Sequence, residues 1–115
     1  MKKNMTEEAI QQVSEVLKAM ADPMRLRILH SLHDGELSVT SIIEAVSGSQ
    51  ANVSRHLSVL RRAGLVDCRR EGNSAFYRIT DPQVFTICES VCGTIGERLD
   101  REREQVRAAL TRRQG

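Results

Sequence analysis

From Ser49 to Gly64 the sequence reads SQANVSRHLSVLRRAG, and no other stretch constrains the chain as much. Ser49 supplies a helix cap and Gly64 a stop, so a helix is expected from the cap to Ala63. Val53, Leu57 and Leu60 fall on one side at helical spacing, while Ala51, Arg55, Ser58 and Arg62 fall almost opposite. Gln50, Asn52 and Ser54 crowd the first turn. Small side chains let such a face come close to another surface. Arg, Asn and Gln carry the forked donors and acceptors that match base edges. An apolar back with a polar, cationic front suits the major groove of DNA.

The charge distribution agrees with this reading. The net charge of +2 is concentrated in residues 49–78, where six arginines face only Asp67 and Glu71. The segment before it is slightly acidic and the one after it is balanced. A basic segment is the expected footprint of phosphate binding, although solvated basic faces are common. Phosphate contacts outnumber base contacts in such interfaces. Arg61, Arg62, Arg69 and Arg70 are therefore expected on the phosphates, and Ser49, Gln50, Asn52, Ser54, Arg55 and Ser58 nearer the bases.

The rest of the chain supplies a frame for that helix. Ile10, Val13, Val16, Leu17 and Met20 predict a first amphipathic helix over about Thr6 to Ala21. Asp22-Pro23 reads as a cap and first helical position, with Leu26, Leu29 and Leu32 as the inner stripe of a second helix. Arg25, Arg27, His30 and His33 lie off that stripe. Ser38 caps a short third helix carrying Ile42, Ile43 and Val46, and Ser47-Gly48 breaks it. After Gly64, a strand to about Arg70, a turn at Glu71-Gly72-Asn73 and a strand from Ala75 to Ile79 form a hairpin. Asp81-Pro82 opens a long final helix. Its first half is apolar on more than one side, which predicts burial on both flanks. From Glu97 to Arg113 it is highly charged and is expected to end in a frayed tail. His56 has two readings, a phosphate contact or a shield over the core.

This order of elements predicts one domain over residues 1–115, mainly α with a β-hairpin wing. With two Phe, one Tyr and no Trp among 115 residues, the core must be aliphatic, and a core shared between two copies would ease the shortage. No apolar run is long enough to span a membrane, and residues 1–6 lack a signal-peptide pattern. Three cysteines do not make the even framework of a secreted disulfide domain, so a reducing cytoplasm is expected.

The stretches LKAMADPMRLRILHSL, GEL, SQANVSRHLSVLRRAGLV and RREGNSAFYRI, between Leu17 and Ile79, resemble the ArsR/SmtB family of metal- and metalloid-responsive repressors. The resemblance implies a winged helix-turn-helix and a homodimer joined through the first and last helices. It also implies repression at a palindromic site in double-stranded DNA, relieved by an inducer. Two family metal sites are missing. The third-helix thiolate pattern ELCVCDLC is replaced by Glu36-Leu37-Ser38-Val39-Thr40-Ser41-Ile42-Ile43. The last-helix zinc pattern lacks its histidines, with Gln83, Thr94 and Glu97 in their places.

Cys68, Cys88 and Cys92 remain as candidate ligands. Cys88 and Cys92 are four apart and share a helix face, and Cys68 lies on the first wing strand. Three soft thiolates would satisfy trivalent arsenic or antimony as inducer, with no cofactor needed for DNA binding itself. A redox or persulfide switch on the same thiols is an alternative. A third reading makes all three small buried hydrophobes. A direct Cys88–Cys92 disulfide would strain an intact helix, because Cβ atoms four apart stand ~5–6 Å from each other where a disulfide wants about 3.8 Å. No nucleophile–base order or phosphate loop argues for an enzyme. A pure protein-interaction module would leave the clustered arginines unexplained.

Overall fold

Four helices begin where a short polar side chain takes an amide of the first turn. Thr6 accepts from the Ala9 amide at 3.1 Å, Asp22 from Arg25 at 3.0 Å, Ser38 from Ser41 at 3.2 Å and Ser49 from Asn52 at 3.2 Å. Each cap satisfies a donor with no partner inside its helix, which is typically worth ~1 kcal/mol. The computed structural model describes residues 5–114, with side chains described as far as residue 112. Its elements are α1 (Glu7–Met20), α2 (Pro23–Ser31), β1 (Leu37–Ser38), α3 (Val39–Val46), α4 (Gln50–Arg62), β2 (Val66–Glu71), β3 (Ser74–Ile79) and α5 (Gln83–Gln114). The chain divides into two compact units, one ending at Pro82 and the other beginning at Gln83.

The core of the first unit is aliphatic. Ile28, Leu29 and Leu32 from α2 and its cap, Ile42 from α3, Val53, Leu57 and Leu60 from α4, and Val66 from β2 are essentially inaccessible. Full burial of such a side chain stabilises the fold by ~1.5–3 kcal/mol. One expectation fails here. Leu26, placed on the inner stripe of α2, is 43% exposed, while Ile28 is fully buried. The helix buries Ile28, Leu29 and Leu32, and Leu26 lies beyond the edge of that arc.

Between α3 and α4 the chain turns at Ser47-Gly48. Ser47, and not the glycine, takes the left-handed conformation, with φ 55°. Gly48 is needed for space, because a Cβ there would stand 2.9 Å from Cγ2 of buried Val53. The turn thereby brings α4 tight against α3.

The hairpin has a two-residue loop, Gly72-Asn73, with φ 60° at Gly72 and Glu71 opposite Ser74. Glycine at the first central position is the requirement of a type II′ turn, whose twist matches the strands. The sheet gains a third strand that the sequence reading did not include. Strand β1 pairs antiparallel with β3, Leu37 opposite Tyr77 and Ser38 opposite Phe76, giving the order β1-β3-β2. The sheet thus ties the hairpin to the start of α3.

The second unit is the 32-residue helix α5, and the charged segment expected to fray is helical to Gln114. Its apolar first half is not covered in one copy of the chain. Ile87, Val91, Ile95 and Leu99 are exposed, although Val84 is buried. Ile10, Val13 and Leu17 of α1 are exposed in the same way. Among the described residues, no helix is long and apolar enough to cross a membrane.

Candidate nucleic-acid interface

Helix α4 divides into two faces as its spacing requires. Val53, His56, Leu57 and Leu60 are buried. Gln50, Ala51, Ser54, Arg55, Ser58, Arg61 and Arg62 are exposed, and Asn52 is half-buried. Ser49 gives a lone pair to the cap, so its hydroxyl hydrogen remains available as a donor. Arg55 is held in place on this face by its Nη2, which donates to Oδ1 of Asn52 at 2.7 Å.

His56 belongs to the interior, which removes the phosphate-contact reading. Only 6% of it is exposed. Arg25 Nη1 lies 3.1 Å from its Nδ1, Arg55 Nη2 lies 3.5 Å from its Nε2, and Asp22 Oδ2 lies 3.9 Å from Nδ1. Arg25 also donates to the carbonyls of Ala19 and Lys18 at the end of α1. Burial holds the His56 pKa below its usual value of 6.5, the two guanidinium groups push the same way, and Asp22 opposes them. The imidazole is therefore neutral at pH 7, with Nδ1 the natural acceptor for Arg25. Arg25, read from the sequence as lying off the stripe, is half-buried and joins α1, α2 and α4.

On the hairpin, side chains alternate between faces. Asp67, Arg69 and Glu71 share one face of β2 with Phe76 and Arg78 of β3. Arg69 Nε and Nη2 donate to Glu36 at 3.2 and 2.7 Å, and Nη1 donates to Glu71 at 2.9 Å. The guanidinium carbon sits 4.7 Å above the centre of the Phe76 ring. The Arg69 bond holds the Glu36 carboxyl below its usual range. Arg78 pairs with Asp67 at 3.3 Å. Arg70 lies on the opposite face, and among the described residues no ion pair is found for it.

Sequence reasoning placed Arg69 and Arg70 side by side as phosphate contacts and missed the difference between them. It also missed Glu36 and Phe76. Glu36 is 33 residues from Arg69, and no periodic signal links positions so far apart.

The cysteines are free. Cys68 stands opposite Tyr77, whose hydroxyl pKa is raised by burial and then by its hydrogen bond with Cys68. On α5, Cys88 is half-buried and Cys92 exposed, so the reading of all three as buried hydrophobes does not hold for one copy. Burial pushes the Cys88 thiol up, and Cys92 and Glu89 add to the effect. Among the described residues no three His, Cys, Asp or Glu side chains are gathered into a set able to hold a metal ion. Cys68 belongs to the first unit, and Cys88 and Cys92 to the second.

The sequence profile of the "bacterial regulatory protein, arsR family" matches residues 22–67. The chain is 34% identical over 93 residues to a transcriptional repressor SmtB homologue of Synechocystis, a match covering 81% of this chain and 70% of that protein. The chain belongs to the arsR family. This arsR-family protein is also 43% identical over 74 residues to the transcriptional activator HlyU of Vibrio cholerae, covering 64% of the chain and 68% of HlyU. It superposes with TM-score 0.74 and 34% identity on a homodimeric winged helix-turn-helix DNA-binding domain from Mycobacterium bovis, covering 88% of this chain and 95% of that domain. The arsR-family chain is thus a winged-helix DNA-binding transcriptional regulator and not an enzyme.

Proposed function

We propose that this regulator is a dimeric, cytoplasmic repressor that reads its operator with the exposed face of α4. Arg55, Asn52, Gln50, Ser49, Ser54 and Ser58 form the reading surface, and Arg61, Arg62 and Arg70 meet phosphates. The observation that carries the proposal is the division of α4. Its back is sealed in the core while Arg55 is held by Asn52 on an open polar face. The exposed apolar stripes of α1 and α5 support dimerisation, as does the homodimeric M. bovis domain. Repression follows where the bound site overlaps a promoter. The activator among its relatives is a reminder that the sign of control depends on where the site lies.

The effector reading rests on α5. Cys88 and Cys92 present two soft sulfurs on one helix face, a fit for the first two ligands of trivalent arsenic or antimony. The third sulfur would come from Cys68, of the same or the partner copy. A redox or persulfide switch on the same thiols, ending in a polysulfide bridge between Cys88 and Cys92, is the second reading, favoured by the exposure of Cys92.

Fluorescence anisotropy on a duplex selected from a random pool tests both levels. Release by arsenite or antimonite that is lost in Cys88→Ser and Cys92→Ser supports a metalloid sensor. Release by a persulfide donor alone supports the second reading. Binding to no duplex at low salt defeats the DNA-reading proposal itself.

A further inference from the structure

The two arginines of β2 are neighbours in sequence but differ in their surroundings. In the strand order β1-β3-β2, Arg69 starts on the outer strand β2 and lies over Phe76 of the middle strand. It ends on Glu36, immediately before β1. Its Nε, Nη1 and Nη2 all serve carboxylates. One side chain therefore reaches from β2 across β3 to the residue before β1, and joins the hairpin to the segment that leads into α3. The face it crosses carries Glu36, Asp67 and Glu71 against Arg69 and Arg78, an excess of negative charge that repels a phosphate backbone. Arg70 projects from the other face, where both it and Arg61 lie close enough to Tyr77 to act on its hydroxyl.

We propose that Arg69 is a positioning residue of the wing, strapping the hairpin across β3 to Glu36 so that Arg70 on the opposite face meets the DNA backbone. This rests on the DNA-binding reading above. The strap is more than an isolated surface pair, which is worth little by itself. It combines a two-pronged carboxylate bond, a second carboxylate and an aromatic ring. Three of the five N–H donors of Arg69 already serve carboxylates, and a phosphate approaching the other two would meet the negative charge of Glu36 and Glu71.

The sign of one substitution separates the alternatives. If Glu36 merely holds back a phosphate-binding arginine, Glu36→Gln frees that charge. DNA is then bound more tightly, with a salt slope steeper by about one contact, or ~0.9. If Glu36 anchors the strap, the same loss of negative charge weakens binding several-fold and leaves the slope unsteepened. The experiment is anisotropy over a range of salt, on a selected 30-base-pair duplex and on a random one, for the full chain. The variants are Glu36→Gln, Arg69→Gln, their double and Arg70→Gln.

We expect Glu36→Gln and Arg69→Gln to weaken the selected duplex to a similar extent and the double to be no worse than either, since both remove one strap. Arg70→Gln alone should flatten the slope by about 0.9. Hydrogen exchange of the β2 and β3 amides in the free protein should quicken in Glu36→Gln. Tighter binding by Glu36→Gln, or equal flattening by Arg69→Gln and Arg70→Gln, overturns the proposal. If the unaltered protein binds neither duplex, the DNA-reading proposal has failed. The exchange measurement still decides whether the strap holds the wing.

Discussion

Oδ1 of Asn52 accepts a 2.7 Å hydrogen bond from Nη2 of Arg55, one turn further along the exposed face of α4. A guanidinium held this way loses less rotamer freedom when it meets a base, and its Nε and Nη1 stay available.

Arg55→Ala should therefore reduce the preference for a selected duplex over a random one by ~10–100-fold, the worth of one good bidentate base contact. Binding to the random duplex should change far less. Asn52→Ala should also lower the preference, because it releases Arg55 and removes the reading group of Asn52 itself. Competition anisotropy with the two duplexes measures both. Equal losses on both duplexes for Arg55→Ala would take it out of the reading role.

His56 sets a pH dependence of stability whose direction is fixed. Its pKa in the folded state lies below the usual 6.5, chiefly through burial. Above pH 6.5 the group is neutral in both states and its contribution is complete. As pH falls below 6.5 the unfolded chain takes up the proton first, and stability is lost down to the lowered folded pKa. Urea midpoints at pH 8, 6.5 and 5 should fall more steeply in the unaltered protein than in His56→Gln. Parallel profiles would mean that other groups govern acid sensitivity.

Gly48→Ala should destabilise the protein by ~1–3 kcal/mol, the range for overpacking a filled site. The added Cβ would meet Cγ2 of fully buried Val53 at 2.9 Å. Combining it with Val53→Ala should recover part of the clash while leaving the cost of the smaller core residue. Chemical denaturation of the three variants tests this. A neutral Gly48→Ala would show that the turn can open without cost.

Val91→Glu places a charge in the middle of the exposed α5 stripe of Ile87, Val91, Ile95 and Leu99. Dimers in the unaltered protein should dissociate to monomers in this variant, as read by analytical ultracentrifugation. The far-ultraviolet spectrum should stay helical, since the position is exposed in one copy. A variant that remains dimeric would place the interface elsewhere.

The sequence by itself determined the local framework. Caps at Thr6, Asp22, Ser38 and Ser49, the glycine of the hairpin loop and the two faces of α4 are all written within a few neighbouring positions. Hydrogen bonds one turn apart and the helical and strand periods act over that same range. That is also why the winged helix-turn-helix and the exposed polar face of α4 could be anticipated. Tertiary structure alone decided which charges stay available. Arg69 and Arg70 are adjacent letters, yet folding brings Glu36 and Phe76 to one of them and not the other. His56 and Arg25, 31 residues apart, meet only when α4 packs on α2. The two-residue strand β1 is too short to carry a period and exists because β3 offers it an edge. Partners at such separations are chosen by packing, and no local pattern records them.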